Sequence, residues 1–160
     1  DGEVTVARRG VTVTFPSSFH LVAATNPCPC GYLGDRRKPC QCRPGIVSRY
    51  RQRVSGPLLD RFDLVVEVDR LDVSEATIDS DSTAEVRRRV AGAHQRLRDR
   101  RPPVTAPAEH LLIEALRNSL LTARGVERVR RVATTICALA DEDTVAEDHV
   151  AEAMALRAEW

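Results

Sequence analysis

The hydrophobic pattern of this chain changes period near residue 72, and that change limits its fold more than any other feature. Before it, apolar residues alternate with polar ones or come in short runs, as in strands; after it they recur every three or four positions, as in helices. Glu3 to Ala7 and Val11 to Phe15 alternate around Arg8, Arg9 and Gly10, which predicts a β-hairpin with a basic tip, ended by Pro16. Phe19 to Thr25 is nearly continuous in apolar residues and reads as a buried strand of a parallel sheet, stopped by Asn26 and Pro27. A loop rich in Gly, Pro and Cys runs to Gly45, a short helix is expected over Ile46 to Arg53, and Pro57 suits the first turn of another. Asp63 to Val68 reads as a second buried strand, and the acidic stretch Leu71 to Asp81 as a linker. Beyond it, Val86, Val90, Ala93 and Leu97 share one face of a helix that Ser82 or Thr83 would cap. Pro102, Pro103 and Pro107 break the chain, and three more helices are expected over 108–118, 126–140 and 146–158. The expected fold is an α/β fragment over residues 1–72 followed by an all-α unit of about four helices over 73–160.

A hydrophobic content of 42% in 160 residues supports a packed core and excludes global disorder. The formal net charge of +1 excludes a polycation, but the charge is uneven. Arg36, Arg37, Lys38, Arg43, Arg49, Arg51 and Arg53 face only Asp35, a local patch suited to anionic partners. Arg87 to Arg89 read as a solvated helix face. No basic start is followed by an apolar run, and none approaches the roughly 18 residues of a membrane span, so neither a signal peptide nor a membrane segment is expected. Five cysteines, four of them between positions 28 and 42, favour metal or free thiols over a disulfide framework, which implies a cytoplasmic location. The chain opens at Asp1 inside what reads as a hairpin, so it is expected to be a fragment of a longer polypeptide.

The segment most charged with chemistry is Ser55-Gly-Pro-Leu-Leu-Asp-Arg-Phe-Asp63. Its Arg61 reads either as half of a salt bridge at a helix end or as an arginine offered at a subunit edge, where a planar, permanently charged fork matches phosphate oxygens. Leu58-Leu59-Asp60-Arg61-Phe62-Asp63 resembles the arginine-finger segment of magnesium-chelatase-type and replicative-helicase-type AAA+ ATPases. Val22-Ala-Ala-Thr-Asn-Pro-Cys-Pro-Cys-Gly31 is similar to the sensor-1 strand of the magnesium chelatase-like family, in its competence-protein (ComM) branch. Arg49-Tyr50-Arg51 and Ser55-Gly56-Pro57 look like the same branch, and Thr122 to Ile136 resembles its carboxyl-terminal lid.

The resemblance implies that residues 1–72 end an AAA+ core carrying a hairpin insertion and that 73–160 form the lid. It implies that Asn26 is sensor 1, able to orient an attacking water, and that Arg61 is the arginine finger acting on a neighbour's phosphate. Arg124 matches sensor 2, with Arg128 one turn further on as a second nucleotide-binding candidate. Thr122 stands where a serine is common, and Gly125 follows the arginine. By the same resemblance, Arg8 and Arg9 at the hairpin tip face the ring channel and contact DNA phosphates. As residues alone, they read as an ordinary exposed turn with two solvated arginines. No Gly-x-x-x-x-Gly-Lys-Ser/Thr run and no strand ending in paired acids occurs, so the chain by itself is expected to be inactive. ATP, Mg²⁺, a homo-oligomeric ring (a hexamer) and DNA are the cofactors and partners implied for the full-length protein. The function implied is an ATP-driven DNA-translocating or branch-migrating motor. Two alternatives are a magnesium chelatase subunit acting in porphyrin metallation and a zinc-stapled nucleic-acid-binding module.

Cys28-Pro-Cys30 and Cys40-Gln-Cys42 offer four thiolates, a set that can hold Zn²⁺ tetrahedrally and staple a loop with little core. The alternative is four reduced thiols between turn-forming prolines. Cys137 lies on the apolar side of a helix and is expected in the core. His20, His94, His110 and His149 show no ligand-like clustering.

Overall fold

The computed structural model describes residues 2–68 and 81–157. Its backbone forms two compact units, Asp1–Arg43 and Pro44–Trp160. The expected boundary at 72/73 and most of the expected linker lie outside the described residues.

In the first unit, β1 (Glu3–Arg8) and β2 (Val11–Pro16) pair antiparallel, with Arg8 opposite Val11 at the closing end. Arg9 and Gly10 form the two-residue loop with φ of 50° and 80°. Positive φ at both positions is the loop geometry whose twist matches the strands, and glycine takes it without steric cost. The register puts Val4, Val6, Val13 and Phe15 on one face and Thr5 opposite Thr14 on the other, where their hydroxyls meet at 3.0 Å.

Phe19 to Thr25, expected as a buried strand, is neither a strand nor buried: Phe19 and Leu21 are exposed, and Val22 is 92% exposed. An apolar run becomes a strand only when neighbouring strands take up its N–H and C=O groups, and among the described residues none runs beside it. Asp63 to Val68 departs from expectation for the same reason. A single parallel bridge joins Val65 to Arg157, while Leu64, Val66 and Val68 stay exposed.

The second unit is helical. It begins with α1 (Pro44–Arg51) and the one-turn α2 (Gly56–Leu59), both opened by proline near the first position, where the missing N–H costs nothing. Four longer helices follow: α3 (Thr83–Asp99), α4 (Ala106–Arg117), α5 (Ala123–Ala140) and α6 (Glu147–Ala155). The whole is thus a small α/β piece followed by a four-helix lid. Hydroxyl caps set three of the starts: Ser82 accepts from Glu85 N–H at 3.2 Å, Thr105 from Ala108 at 3.4 Å, and Thr122 from Gly125 at 3.0 Å. At the start of α6 the bond runs the other way, with His149 Nδ1 reaching back to accept from Ala146 N–H at 3.0 Å. Asp141 ends α5 in the left-handed region.

The core gathers around α5, which packs against α3, α4 and α6. Val129, Ala133 and Cys137 of α5 meet Ala108 and Leu112 of α4, Val145, and Val150 and Ala153 of α6. Cys137 lies in the core as the sequence suggested. On α3 only the carboxyl half of the expected stripe is covered: Ala93 is buried, while Val86 and Val90 are exposed.

Glu109 of α4 accepts two hydrogen bonds from Arg130 of α5, at 2.5 and 2.8 Å. That fork holds the Glu109 carboxyl below its ordinary value. A depressed carboxyl contributes stability above its unfolded pKa, which is lost as pH falls through the folded one. Glu109→Gln should therefore lower the melting temperature at neutral pH. The gap from the parent should close as pH drops through and below the ordinary carboxylate range near about 4. A gap of constant size down to pH 2, followed by circular dichroism, would contradict this origin.

Candidate functional site

Arg61 follows directly on α2, and its guanidinium donates to the Pro57 carbonyl at 2.6 Å. It is exposed and forms no ion pair among the described residues. The two acids beside it are committed elsewhere. Asp60 pairs with Arg157 at 3.1 Å, and Asp63 with Arg131 at 3.0 Å and Arg128 at 3.5 Å. Arg128 also donates to the main-chain carbonyl of Arg61 itself. The backbone of the segment is thus tied to α5 and to the end of α6, while its own arginine points to solvent.

Arg124, Arg128 and Arg131 recur at helical spacing along α5. With Ala123 and Glu127 they line a shallow open depression of about 430 Å³. Arg124 is exposed at the amino end of the helix; Arg128, with its side chain 18% exposed, is packed down onto the Arg61 segment. Asp63, Arg131 and Arg157 were missed by the sequence reading. Asp63 precedes its partners by 65 and 68 residues in sequence, and no local pattern marks them as neighbours.

In the first unit, Asn26 lies exposed just before the cysteine loop, near Gly31. Arg8 and Arg9 stand exposed at the hairpin tip. The four cysteines come together. Cys28 Sγ lies 3.3 Å from Cys30 and 3.7 Å from Cys40, Cys30 lies 3.6 Å from Cys40, and all four sulfurs, Cys42 included, fall within 4.8 Å of one another. A tetrahedral site with metal–sulfur bonds of about 2.3 Å has sulfurs about 3.8 Å apart, so the cluster matches a four-sulfur metal site in size. The loop between the pairs is organised by local bonds. Gly31, with φ of 78°, donates to the Cys28 carbonyl at 3.0 Å, and Asp35 Oδ1 accepts from the N–H groups of Arg37 and Lys38 at 2.8 and 3.0 Å.

The sulfurs titrate as a group. Backbone N–H groups of Tyr32 and Gln41 hold the Cys30 thiol down at about 6. The Cys42 N–H favours a thiolate at Cys40, but burial and the adjoining sulfurs outweigh it and push Cys40 up to about 12. Adjacent sulfurs resist sharing several negative charges; a dication removes that resistance.

Two consecutive family models match the chain. One, magnesium chelatase subunit ChlI, covers residues 1–76, and the other, the carboxyl-terminal part of the same subunit, covers residues 80–157. An uncharacterised protein of Mycobacterium tuberculosis is 37% identical over 98% of this chain and 35% of its own length. Competence protein ComM of Haemophilus influenzae is 32% identical over 98% of this chain and 34% of its length, and YifB of Escherichia coli is 31% identical over the same shares. The chain belongs to the magnesium chelatase-like family, and it spans about a third of the length of the curated relatives it matches. Among the described residues, no helix is long and apolar enough to cross a membrane.

Alkylation of the reduced, metal-free chain with limiting iodoacetamide at pH 7 should modify Cys30 first, because the thiolate is the nucleophile. Cys40, and Cys137 buried in the helical core, should react last. Equal rates at Cys30 and Cys40, read by peptide mass mapping, would contradict the ordering.

Proposed function

We propose that this chain is the carboxyl-side part of a ring-forming AAA+ ATPase that moves on DNA, with residues 1–72 completing the ATPase core and 73–160 forming the lid. The observation that carries this reading is Arg61: exposed, free of ion pairs among the described residues, and held by a backbone anchored to α5. An arginine bound into a salt bridge could not serve a phosphate, whereas this one is available to a neighbouring subunit. In the proposed reaction the Arg61 fork neutralises charge developing on the transferring phosphoryl group, and the Asn26 amide orients the attacking water. Arg124 borders the nucleotide of its own subunit, and Arg128 stands one turn behind it with its guanidinium on the Arg61 segment. ATP with Mg²⁺ is the substrate in this reading, and a homo-oligomeric ring, a hexamer, is required to bring finger and nucleotide together. Exposed Arg8 and Arg9 supply phosphate contacts to DNA in the channel, and these weaken with salt. The name of the relative ComM supports a link to competence, and hence to DNA, in this branch. A cytoplasmic location belongs to the same proposal.

The test is ATP turnover by the full-length protein with and without DNA. Turnover should rise with DNA, and Arg61→Ala should lower it on the order of a thousandfold while leaving ATP binding intact. Arg61→Lys should rescue poorly, since a point charge does not reproduce the planar fork. Turnover indifferent to DNA would point instead to the porphyrin-metallating role of a chelatase subunit.

The cysteine cluster is proposed to hold a structural Zn²⁺ through Cys28, Cys30, Cys40 and Cys42. Its support is the convergence of the four sulfurs within 4.8 Å. Protein purified without chelator should contain about one zinc per chain, bound by four sulfurs at about 2.3 Å by X-ray absorption. Replacing Cys40 and Cys42 by serine should abolish it. Zinc-free protein, or a metal retained by the double variant, would reject the site.

A further inference from the structure

The segment that presents Arg61 is a short run of local turns, with Arg61 N–H bonded to the Leu58 carbonyl at 2.9 Å and Phe62 N–H to that of Leu59 at 3.0 Å. The helix before it is a single turn of four residues, too short to be stable alone, and between Phe62 and Val68 the chain has one bridge among the described residues, at Val65. Its direction must therefore come from outside contacts. Val65 N–H donates to the Leu156 carbonyl at 2.7 Å, Arg157 pairs with Asp60 at 3.1 Å, and Arg131 pairs with Asp63 at 3.0 Å. Among the described residues, Arg128 is the side chain that reaches the main-chain carbonyl of Arg61 itself, and the same nitrogen lies 3.5 Å from Asp63. Arg128 is well packed, whereas the Asp63 side chain is 55% exposed, so the fixed end of this contact is the α5 end. The next residue along, Val129, is fully buried in the core and locks that helix face in place.

We propose that Arg128 is a positioning residue for Arg61: it carries the orientation of α5 to the arginine offered to the neighbouring subunit. This rests on the reading of Arg61 as a finger acting in trans. Arg124 stands one turn before Arg128 on the same helix and beside the same depression. A nucleotide contact at Arg124 that turned or tilted α5 would move the Arg61 carbonyl with it. The lid of one subunit is thereby linked to catalysis in the next, by a rigid helix with a cation at each of two stations.

A misplacement of about 1 Å costs a catalytic group up to about a hundredfold. In the full-length protein, Arg128→Ala should lower kcat for ATP by between about tenfold and a hundredfold, with KM changed less than about twofold. Arg128→Lys should recover part of the loss. Mixed rings separate positioning from mere support. Arg128→Ala subunits keep their own pocket and lose a well-aimed finger. They should regain activity with subunits disabled in the phosphate-binding loop, and gain nothing with Arg61→Ala subunits. The opposite pattern, rescue of Arg61→Ala alone, would assign Arg128 to its own subunit's nucleotide and overturn the proposal, as would an unchanged kcat. If Arg128→Ala does not fold, Asp63→Asn, at the exposed end of the contact, takes its place in the same two mixtures, where the same two patterns support or overturn positioning. If Arg61→Ala itself fails to complement loop-disabled subunits, the finger reading falls, and positioning with it. Success there with failure of the Arg128 and Asp63 variants overturns positioning alone.

Discussion

Burial of Val129, Ala133 and Cys137 along one side of α5 fixes the geometry of the helical unit. Each of these side chains is small or branched close to the backbone, so α4 and α6 approach α5 closely, and Leu112 and Val150 fill the remaining space. Gly125, near the amino end, continues the small-residue line: an added Cβ there would lie 3.4 Å from the Thr122 hydroxyl and 3.5 Å from Leu121. Once that face is committed to the core, the other positions of α5 are committed too. Arg124, Arg128 and Arg131 must then project from the outside of the unit, towards the Arg61 segment and the depression beside it.

The polar contacts on that outer face are of a different kind. Pairs such as Asp63 with Arg131 are largely exposed, and pairs of this sort contribute roughly 0 to 1 kcal/mol at most. Their weight in stability is small beside the core. Their weight in direction is larger, because α2 is a single turn and has no core of its own. The Glu109–Arg130 fork, in contrast, joins two helices that the core already brings together, so it adds stability without steering anything. Two arginines two residues apart on one helix thus do different work: Arg130 ties helix to helix, and Arg128 grips a loop.

The amino-terminal unit lacks a comparable core. Its hairpin faces are exposed, and the only fully buried hydrophobic side chain there among the described residues is Cys28, in the cysteine cluster. A loop of this length loses conformational entropy on ordering with few apolar contacts to offset it, which is the situation in which a four-sulfur metal site contributes most to folding. Backbone N–H groups directed at Cys30 favour thiolate charge there, whereas burial and the adjoining sulfurs oppose it at Cys40.

Much of this was legible in sequence because it is local. Arg9 and Gly10 take up a loop that needs positive φ, Ser82 caps the helix that follows it by accepting from the N–H three residues on, and the spacing of Ala93 and Leu97 marks the covered half of α3. The apolar runs at Phe19 to Thr25 and Asp63 to Val68 show where such reading stops. Their composition suits buried strands, but a strand exists only with a partner for its backbone, and composition does not supply one. The sequence marked Arg61 and the four cysteines by residue type and spacing. Which acids Arg61 leaves unclaimed, and which arginine holds its carbonyl, were decided only by the tertiary structure. Asp63 and Arg131 are brought to 3.0 Å by the packing of a non-helical segment against a helix 68 residues further on, and no local rule of side-chain chemistry encodes that distance.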